Sequence, residues 1–456
     1  MSHTIAAIAT GTGRTAIGIL RLSGPEAIAA VDRLFTPVGS VPFAQQPDRM
    51  LTLGTLRDEA GRPLDQCMAT LSHGPKSYTG EDTCELQCHG SPAVLAAALT
   101  ALRSLGVRQA EPGEFTKRAF LNGRLDLTQA EAVIDLIDAQ SLAAARNAAG
   151  QLSGSLRRCI DGIYDRLLNV SAHFDVVLDY ADEDLEPFQI SEIQSATQEA
   201  LDELNRLLST VHRGQQLKSG IPCAIVGAPN AGKSSLLNAL LGYDRAIVTD
   251  LPGTTRDTLQ ETLELGGLLL RLTDTAGLRD SADQVEQLGV ARSRQAAQQA
   301  ELILAVVDGS VPLTPEAEDA LSLAQEATHA ICVINKADLP LQVDAEELSR
   351  RFPHLVRLSA ATGQGLDQLE TAIAALYPKG SELENGELLT NLRQADGAAQ
   401  ARDALLRVEE GLRLGMTPDG LLTDLEDALS ALGQITGRSI TEDVTARIFE
   451  RFCVGK

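Results

Sequence analysis

The chain has 456 residues, 44% hydrophobic and 22% charged, with a formal net charge of −23, a composition that fits a soluble protein of roughly two to four domains. So negative a balance excludes a generally basic nucleic-acid binder, though not a local RNA patch drawing on Lys117, Arg118, Arg124, Arg157 and Arg158. No eighteen-residue apolar run and no basic leader ahead of an apolar core is present, so neither a membrane span nor a secretory signal is expected, and seven scattered cysteines predict reduced thiols in the cytoplasm.

Up to about residue 122, short apolar runs such as Ile17-Gly18-Ile19-Leu20 and Glu85-Leu86-Gln87-Cys88 mix with a helical pattern over 92–105, which predicts a compact α/β domain. Cys84-x-x-x-Cys88-His89 offers half of a zinc motif, but no second ligand pair stands at suitable spacing. Alternation along Cys84, Leu86 and Cys88 puts them on one face of a strand, so buried structural thiols are expected. From Asp126 to about Val211 the pattern is helical, with Leu127, Ala130, Val133, Ile134 and Ile137 at turn spacing. The acidic stretch 179–186 reads as a solvated loop or helix start.

Residues 227–234, Gly-Ala-Pro-Asn-Ala-Gly-Lys-Ser, fit the phosphate-loop pattern G-x-x-x-x-G-K-[ST] between an apolar strand, 223–226, and a helix carrying Leu236, Leu237, Leu240 and Leu241. Backbone N–H groups along Asn230, Ala231, Gly232, Lys233, Ser234 and Ser235 would cradle the phosphates of a nucleoside triphosphate. Lys233 reaches the β- and γ-phosphates, and Ser234 offers a hydroxyl to Mg²⁺. The next loop, 247–257, contains Thr249-Asp250-Leu251-Pro252-Gly253-Thr254-Thr255, and a Thr here, with Thr255 chosen, completes the Mg²⁺ shell of a GTP-ordered switch. Pro252 and Gly253 also fit ordinary loop punctuation.

Asp274-Thr275-Ala276-Gly277 closes a strand-like run over 268–273, placing a carboxylate to hold Mg²⁺ through water and the Gly277 N–H at the γ-phosphate. Position 278, where some GTPases carry a water-orienting Gln, is Leu. Catalysis then needs another cation and another polar group. Asn230 offers an amide oxygen to a monovalent cation, with switch carbonyls closing the cage. Glu286 is the leading water-orienting candidate, with a solvated helix face as the alternative at this point. Asn335-Lys336-Ala337-Asp338 follows a strand-like run over 330–334, and its Asp accepts from the two donors that guanine has and adenine lacks. Ser359-Ala360-Ala361, after a strand at 355–358, supplies the last nucleotide loop. Four ordered motifs on alternating strands and helices predict a GTPase.

The nucleotide domain is expected over 216–380, inserted into a discontinuous helical domain, 123–215 and 381–456, after an N-terminal domain at 1–122. Phe452-Cys453-Val454-Gly455-Lys456 reads as an ordered tail behind an aromatic anchor.

These features together resemble the tRNA uridine-modification GTPases called MnmE or TrmE. The resemblance spans essentially the whole chain. It is carried by the inserted GTPase, Gly253-Thr254-Thr255-Arg256-Asp257, Leu278 and the C-x-G-K end, with Gly18-Ile19-Leu20-Arg21-Leu22-Ser23-Gly24, Ser77-Tyr78-Thr79-Gly80-Glu81-Asp82, Pro112-Gly113-Glu114-Phe115 and Asn122-Gly123-Arg124-Leu125-Asp126-Leu127.

The resemblance implies an N-terminal α/β folate-binding and dimerisation domain, a helical domain and an inserted Ras-like doubly wound GTPase. It implies a cytoplasmic homodimer working with a flavin-dependent partner, MnmG or GidA, which carries FAD, in a heterotetramer or larger complex. The pair would install an aminomethyl or carboxymethylaminomethyl group at C5 of the wobble uridine in certain tRNAs. A tetrahydrofolate derivative, 5-formyl or 5,10-methylene, would donate the carbon at Arg21, Glu85, Arg124 and Lys456. Position 124 is Lys in some relatives, so Arg124 keeps the charge with a different contact geometry. The same pattern puts K⁺ at Asn230, Thr249, Leu251 and Thr254, Mg²⁺ at Ser234 and Thr255, and catalysis at Glu286. With Lys456 at folate, Cys453 is expected either as a buried hydrophobe or as a nucleophile or proton donor near the one-carbon chemistry. The rival reading is a ribosome-assembly or RNA-checking GTPase switch, but the sequence has no second phosphate loop and no G-x-x-G between apolar helices.

Overall fold

The computed structural model describes residues 3–11, 13–179, 190–243, 261–272, 296–377, 386–439, 442–450 and 452–455. The chain divides into two compact units, one of residues 1–134, 151–200 and 400–456, the other of residues 135–150 and 201–399. The acidic stretch 180–186, the switch loop 247–257, the segment 273–295 and Lys456 lie outside the described residues.

The first unit is built on a seven-stranded sheet. Its strands are β1 (Ile5–Ile8), β2 (Ile17–Ser23), β3 (Phe35–Pro37), β4 (Thr52–Arg57), β5 (Pro63–Ser72), β6 (Thr83–His89) and β7 (Arg108–Gln109), in the spatial order β3-β4-β5-β6-β2-β1-β7. Every pairing is antiparallel except β1 with β7. Period-two alternation sends Leu20, Leu22, Leu71, Cys84, Leu86 and Cys88 into one core. Helices Ala27–Leu34 and Pro92–Ser104 cover that face with Val31, Leu95, Ala98 and Leu102. Pro at the first turn suits the start of the second helix, where its missing N–H is no loss. The thiols of Cys84 and Cys88 are buried, as alternation predicts, and burial pushes Cys84 well above the ordinary thiol range.

Helices follow in this unit. Ser155–Asp179 packs along Pro418–Thr436, and Glu442–Phe449 packs on Glu114–Leu121. Phe449 and Phe452 pack with ring centroids 5.1 Å apart and planes tilted by 41°, anchoring the tail. The tail then runs beside the loop before Glu114, with Pro112 bridged to Val454 and the Gly113 N–H donating to the Cys453 carbonyl at 3.2 Å.

The second unit carries a six-stranded sheet of β8 (Ile221–Gly227), β9 (Glu261–Leu265), β10 (Leu268–Leu272), β11 (Leu302–Asp308), β12 (His329–Asn335) and β13 (Leu355–Arg357), ordered β13-β12-β11-β8-β10-β9. All neighbours are parallel except the β9–β10 hairpin. β8, β11 and β12 read as near-continuous runs of Val, Ile, Leu, Ala and Cys because helices bury both faces. Lys233–Tyr243 and Leu366–Leu376 contribute to one of these cores and Pro315–Gln325 and Ala345–Arg351 to the other, which makes the sheet doubly wound. Among the described residues no helix is long and apolar enough to cross a membrane.

Candidate functional sites

Three loops meet at the carboxyl edge of the second unit's sheet, where open α/β folds bind ligands. The first leaves β8 at Gly227 and enters the helix at Lys233. Asn230 takes a left-handed φ of +59° and Gly232 one of +95°, which curls the intervening amides inward. A Cβ at Gly232 would stand 2.1 Å from Asn335 Nδ2, so the position is closed to larger residues on both counts.

Asn335 holds this site together. Its side chain is buried, donates through Nδ2 to the Ala231 carbonyl at 2.9 Å, and accepts the Ala360 N–H on Oδ1 at 3.0 Å. One amide thus ties the phosphate loop, the end of β12 and the loop 359–361. The motif order predicts Asn335 beside the nucleotide but not this bridging role, because nothing in the spacing says which loops touch.

Lys233 Nζ donates to the Gly227 and Ala228 carbonyls at 2.9 and 2.8 Å, and burial holds its ammonium below the usual lysine range. Such a desolvated cation gains from an anionic partner. Ser234 stands at the helix's first turn, half-buried. Lys336, with φ +62°, pairs with Asp308 at 2.5 Å, and Asp308 also accepts from Ser310. Asp308, which ends its own strand, is not legible from sequence spacing. Asp338 is exposed on the same loop, and Ser359 is fully buried with its N–H on the Gln364 carbonyl at 2.9 Å. Thr249, Asp250, Leu251, Pro252, Gly253, Thr254, Thr255, Asp274, Thr275, Ala276, Gly277 and Glu286 lie outside the described residues.

Asp338→Asn is expected to narrow the preference for GTP over ATP by about 100-fold or more, since a donor would replace the acceptor of guanine's two N–H groups. Competition binding with both nucleotides measures it, and unchanged discrimination would remove Asp338 from the base site.

The second site lies in the first unit. Arg21 and Glu85 are cross-strand partners on β2 and β6, joined Nε to Oε1 at 2.8 Å and partly exposed. The guanidinium lies 5.7 Å from the Tyr78 ring centre and 5.9 Å from that of Phe115, and Nη1 donates to the Gly455 carbonyl at 3.5 Å. Arg124 donates from Nε to the Ser77 carbonyl at 3.1 Å. The loop Ser77-Tyr78 therefore borders both arginines. Tyr78 bonds the Thr116 hydroxyl at 3.0 Å, and burial raises its phenol above the usual range. Cys453 is exposed, so the structure favours an accessible thiol over a buried hydrophobe, and Lys456 is outside the described residues. Tyr78, Phe115 and Gly455 carry no role in the sequence analysis, although all three stand in motifs named there.

Beneath this pocket Arg118 pairs with Glu81 at 2.7 Å and Glu114 at 3.0 Å, and donates to the His3 carbonyl at 2.7 Å. Hydrogen bonds from the Glu111 N–H and from Arg108 and Arg118 outweigh burial and hold the Glu114 carboxyl below its ordinary range. The motif 112–115 is thereby fixed to the sheet.

A family model described as "GTP-binding protein TrmE N-terminus" matches residues 4–124, and one described as "MnmE helical domain" matches residues 127–453. The chain belongs to the MnmE family of tRNA modification GTPases. It is 43% identical over 464 residues to a tRNA modification GTPase MnmE of Roseiflexus sp. (strain RS-1), covering 99% of each chain. A relative of the same name from Symbiobacterium thermophilum is 42% identical over 456 residues, covering 100% of this chain and 99% of its own. Another from Synechococcus sp. (strain JA-3-3Ab) is 44% identical over 458 residues, with the same coverage. Membership in the MnmE family thus extends over both units, including the arginine pocket as well as the phosphate loop.

Proposed function

We propose that this chain is a K⁺-stimulated GTP hydrolase that acts with a flavin-dependent partner to add an aminomethyl or carboxymethylaminomethyl group to C5 of the wobble uridine of certain tRNAs. The observation that carries this reading is the presence in one MnmE-family chain of nucleotide loops stitched by Asn335 and of an Arg21–Glu85 pair whose guanidinium also reaches the Gly455 carbonyl. A GTPase acting only as a switch has no need of the second.

At the nucleotide site the desolvated Lys233 neutralises phosphate charge, the amides of 230–235 orient the phosphates, and Asp338 selects guanine. Ser234, at the first turn of its helix, fits a Mg²⁺ ligand, and Thr255 would join it. When bound, the ion supplies charge neutralisation at the β- and γ-oxygens. Asn230 holds a left-handed backbone in an exposed part of the loop, a placement that fits a side-chain oxygen offered to K⁺ with Thr249, Leu251 and Thr254. Glu286 is assigned to orient the attacking water in place of the Gln that Leu278 replaces.

In the first unit, Arg21 between two aromatic rings suits a flat, polar heterocycle with anionic substituents, and Arg124 adds a second cation. A tetrahydrofolate, 5-formyl or 5,10-methylene, would supply the one-carbon unit there, with Lys456 as a further contact. Cys453 is assigned as nucleophile or proton donor. The active species is a homodimer in the cytoplasm, joined by an MnmG or GidA flavoprotein holding FAD in a heterotetramer or larger complex.

Mass analysis of wobble nucleosides from cells lacking the protein tests the whole reading. Loss of the C5 group is expected, and normal modification overturns it. The cation cage has its own test. Hydrolysis in KCl is expected to exceed that in NaCl at equal ionic strength by on the order of tenfold. Asn230→Ala should erase the difference, whereas equal rates in the two salts would exclude the cage.

A further inference from the structure

The strand register of the first unit brings together ligands that the sequence scatters. Met68 pairs with Gln87 across β5 and β6, so Cys67 stands opposite Cys88. Asp65, two residues before Cys67, lies on the same face near the strand's end. A thiol from each strand and the Asp65 carboxylate place one ligand atom apiece within 4.8 Å of one another. Tetrahedral zinc, with Zn–S about 2.3 Å and Zn–O about 2.1 Å, holds such ligand atoms roughly 3.5–3.8 Å apart, so the three would draw together by about 1 Å at most.

The surroundings fit a built site. The Asp65 carboxylate accepts the His89 N–H at 2.8 Å on one oxygen and faces His89 Nδ1 at 2.7 Å on the other, which fixes its orientation. On the flanking strands Gly54 pairs with Cys67 and Gly18 with Cys88. Cβ atoms there would collide with Phe35 at 2.4 Å and Leu95 at 2.5 Å, so both glycines let apolar side chains lean into the cysteine row. The two sulfurs are therefore walled by core, while beyond the Asp65 side chain, 9% exposed, His89 stands mostly in solvent. Cys84, also in this core, is four residues from Cys88 along β6 and outside the cluster.

We infer that Asp65, Cys67 and Cys88 form a binding site for a thiophilic divalent cation, Zn²⁺ in the first place, with a fourth position open to water and His89 positioning the carboxylate. Soft thiolates select zinc over Mg²⁺ or Ca²⁺. A cross-strand disulfide is disfavoured because both sulfurs are buried, away from oxidants. Binding would clip β5 to β6 just ahead of the helix Pro92–Ser104.

The test is titration of the full-length, reduced protein with Co²⁺ as a spectroscopic stand-in, followed by displacement with Zn²⁺. Cys159 and Cys453, the two cysteines not fully buried, are replaced by Ser to remove competing thiols. One equivalent is expected, with a near-ultraviolet thiolate-to-cobalt band. Cys67→Ala should halve that band, and Asp65→Asn, at the rim and harmless to the core, should weaken Zn²⁺ by roughly tenfold or more. Cys84→Ala should leave binding unchanged. Absence of the band, or titrations that neither Asp65→Asn nor Cys67→Ala alters, would overturn the site.

Discussion

Asn335→Ala is expected to lower GTP affinity by about 100-fold, because a buried amide loses two hydrogen bonds at about 1–3 kcal/mol each and 1.4 kcal/mol is tenfold. The Ala231 carbonyl would lose its donor and the Ala360 N–H its acceptor. The amides of the phosphate loop would then lose their fixed aim, and the base loop its anchor. Asn335→Asp separates the two effects: it keeps an acceptor for Ala360 but sets a carboxylate against the Ala231 carbonyl. If the stitch is the cause, the Asp variant binds at least as poorly as the Ala variant. Calorimetric titration with GTP decides it, with thermal unfolding of the same variants as a check on folding. Wild-type affinity in either variant would show that the loops hold each other without this amide.

The second large effect is expected at Arg21. Arg21→Ala should reduce 5-formyltetrahydrofolate binding by roughly 100-fold or more while GTP turnover stays within about twofold, since a charge-assisted contact and a ring-stacked cation are lost together. Arg21→Lys should fall between, because an ammonium keeps the charge but cannot pair with Glu85, stack on Tyr78 and Phe115 and reach Gly455 as one planar group. Glu85 is partly exposed, so solvent accommodates it when its partner is removed. Fluorescence titration with the folate, run beside a phosphate-release assay, reads both. Equal losses in both activities would make Arg21 a general fold determinant.

The nucleotide unit was legible because its grammar is local. Apolar runs such as 223–226 and 330–334 are strands buried on both faces, and the motif after each falls at the sheet's carboxyl edge by connectivity alone. Alternation at Cys84, Leu86 and Cys88 reported a one-sided strand for the same reason. Contacts fixed by register or by chain crossings were not legible. The sequence shows Asn335 and Ala231, but not that an amide spans them. It shows Cys88, but its cross-strand neighbour Cys67 depends on the β5–β6 register, which no short-range spacing encodes. Arg21 was named through family pattern, whereas its aromatic flanks came only from tertiary packing.

The contact between Arg21 and the Gly455 carbonyl joins residues 434 positions apart in the chain. A ribosome delivers β2 early and this carbonyl only after the entire nucleotide unit has been translated, so the pocket cannot close on a nascent chain that has just finished its GTPase. Domains fold as units during synthesis, and a polypeptide released after residue 399 but before residue 455 would leave the ribosome with its phosphate loop formed and Arg21 without its tail contact.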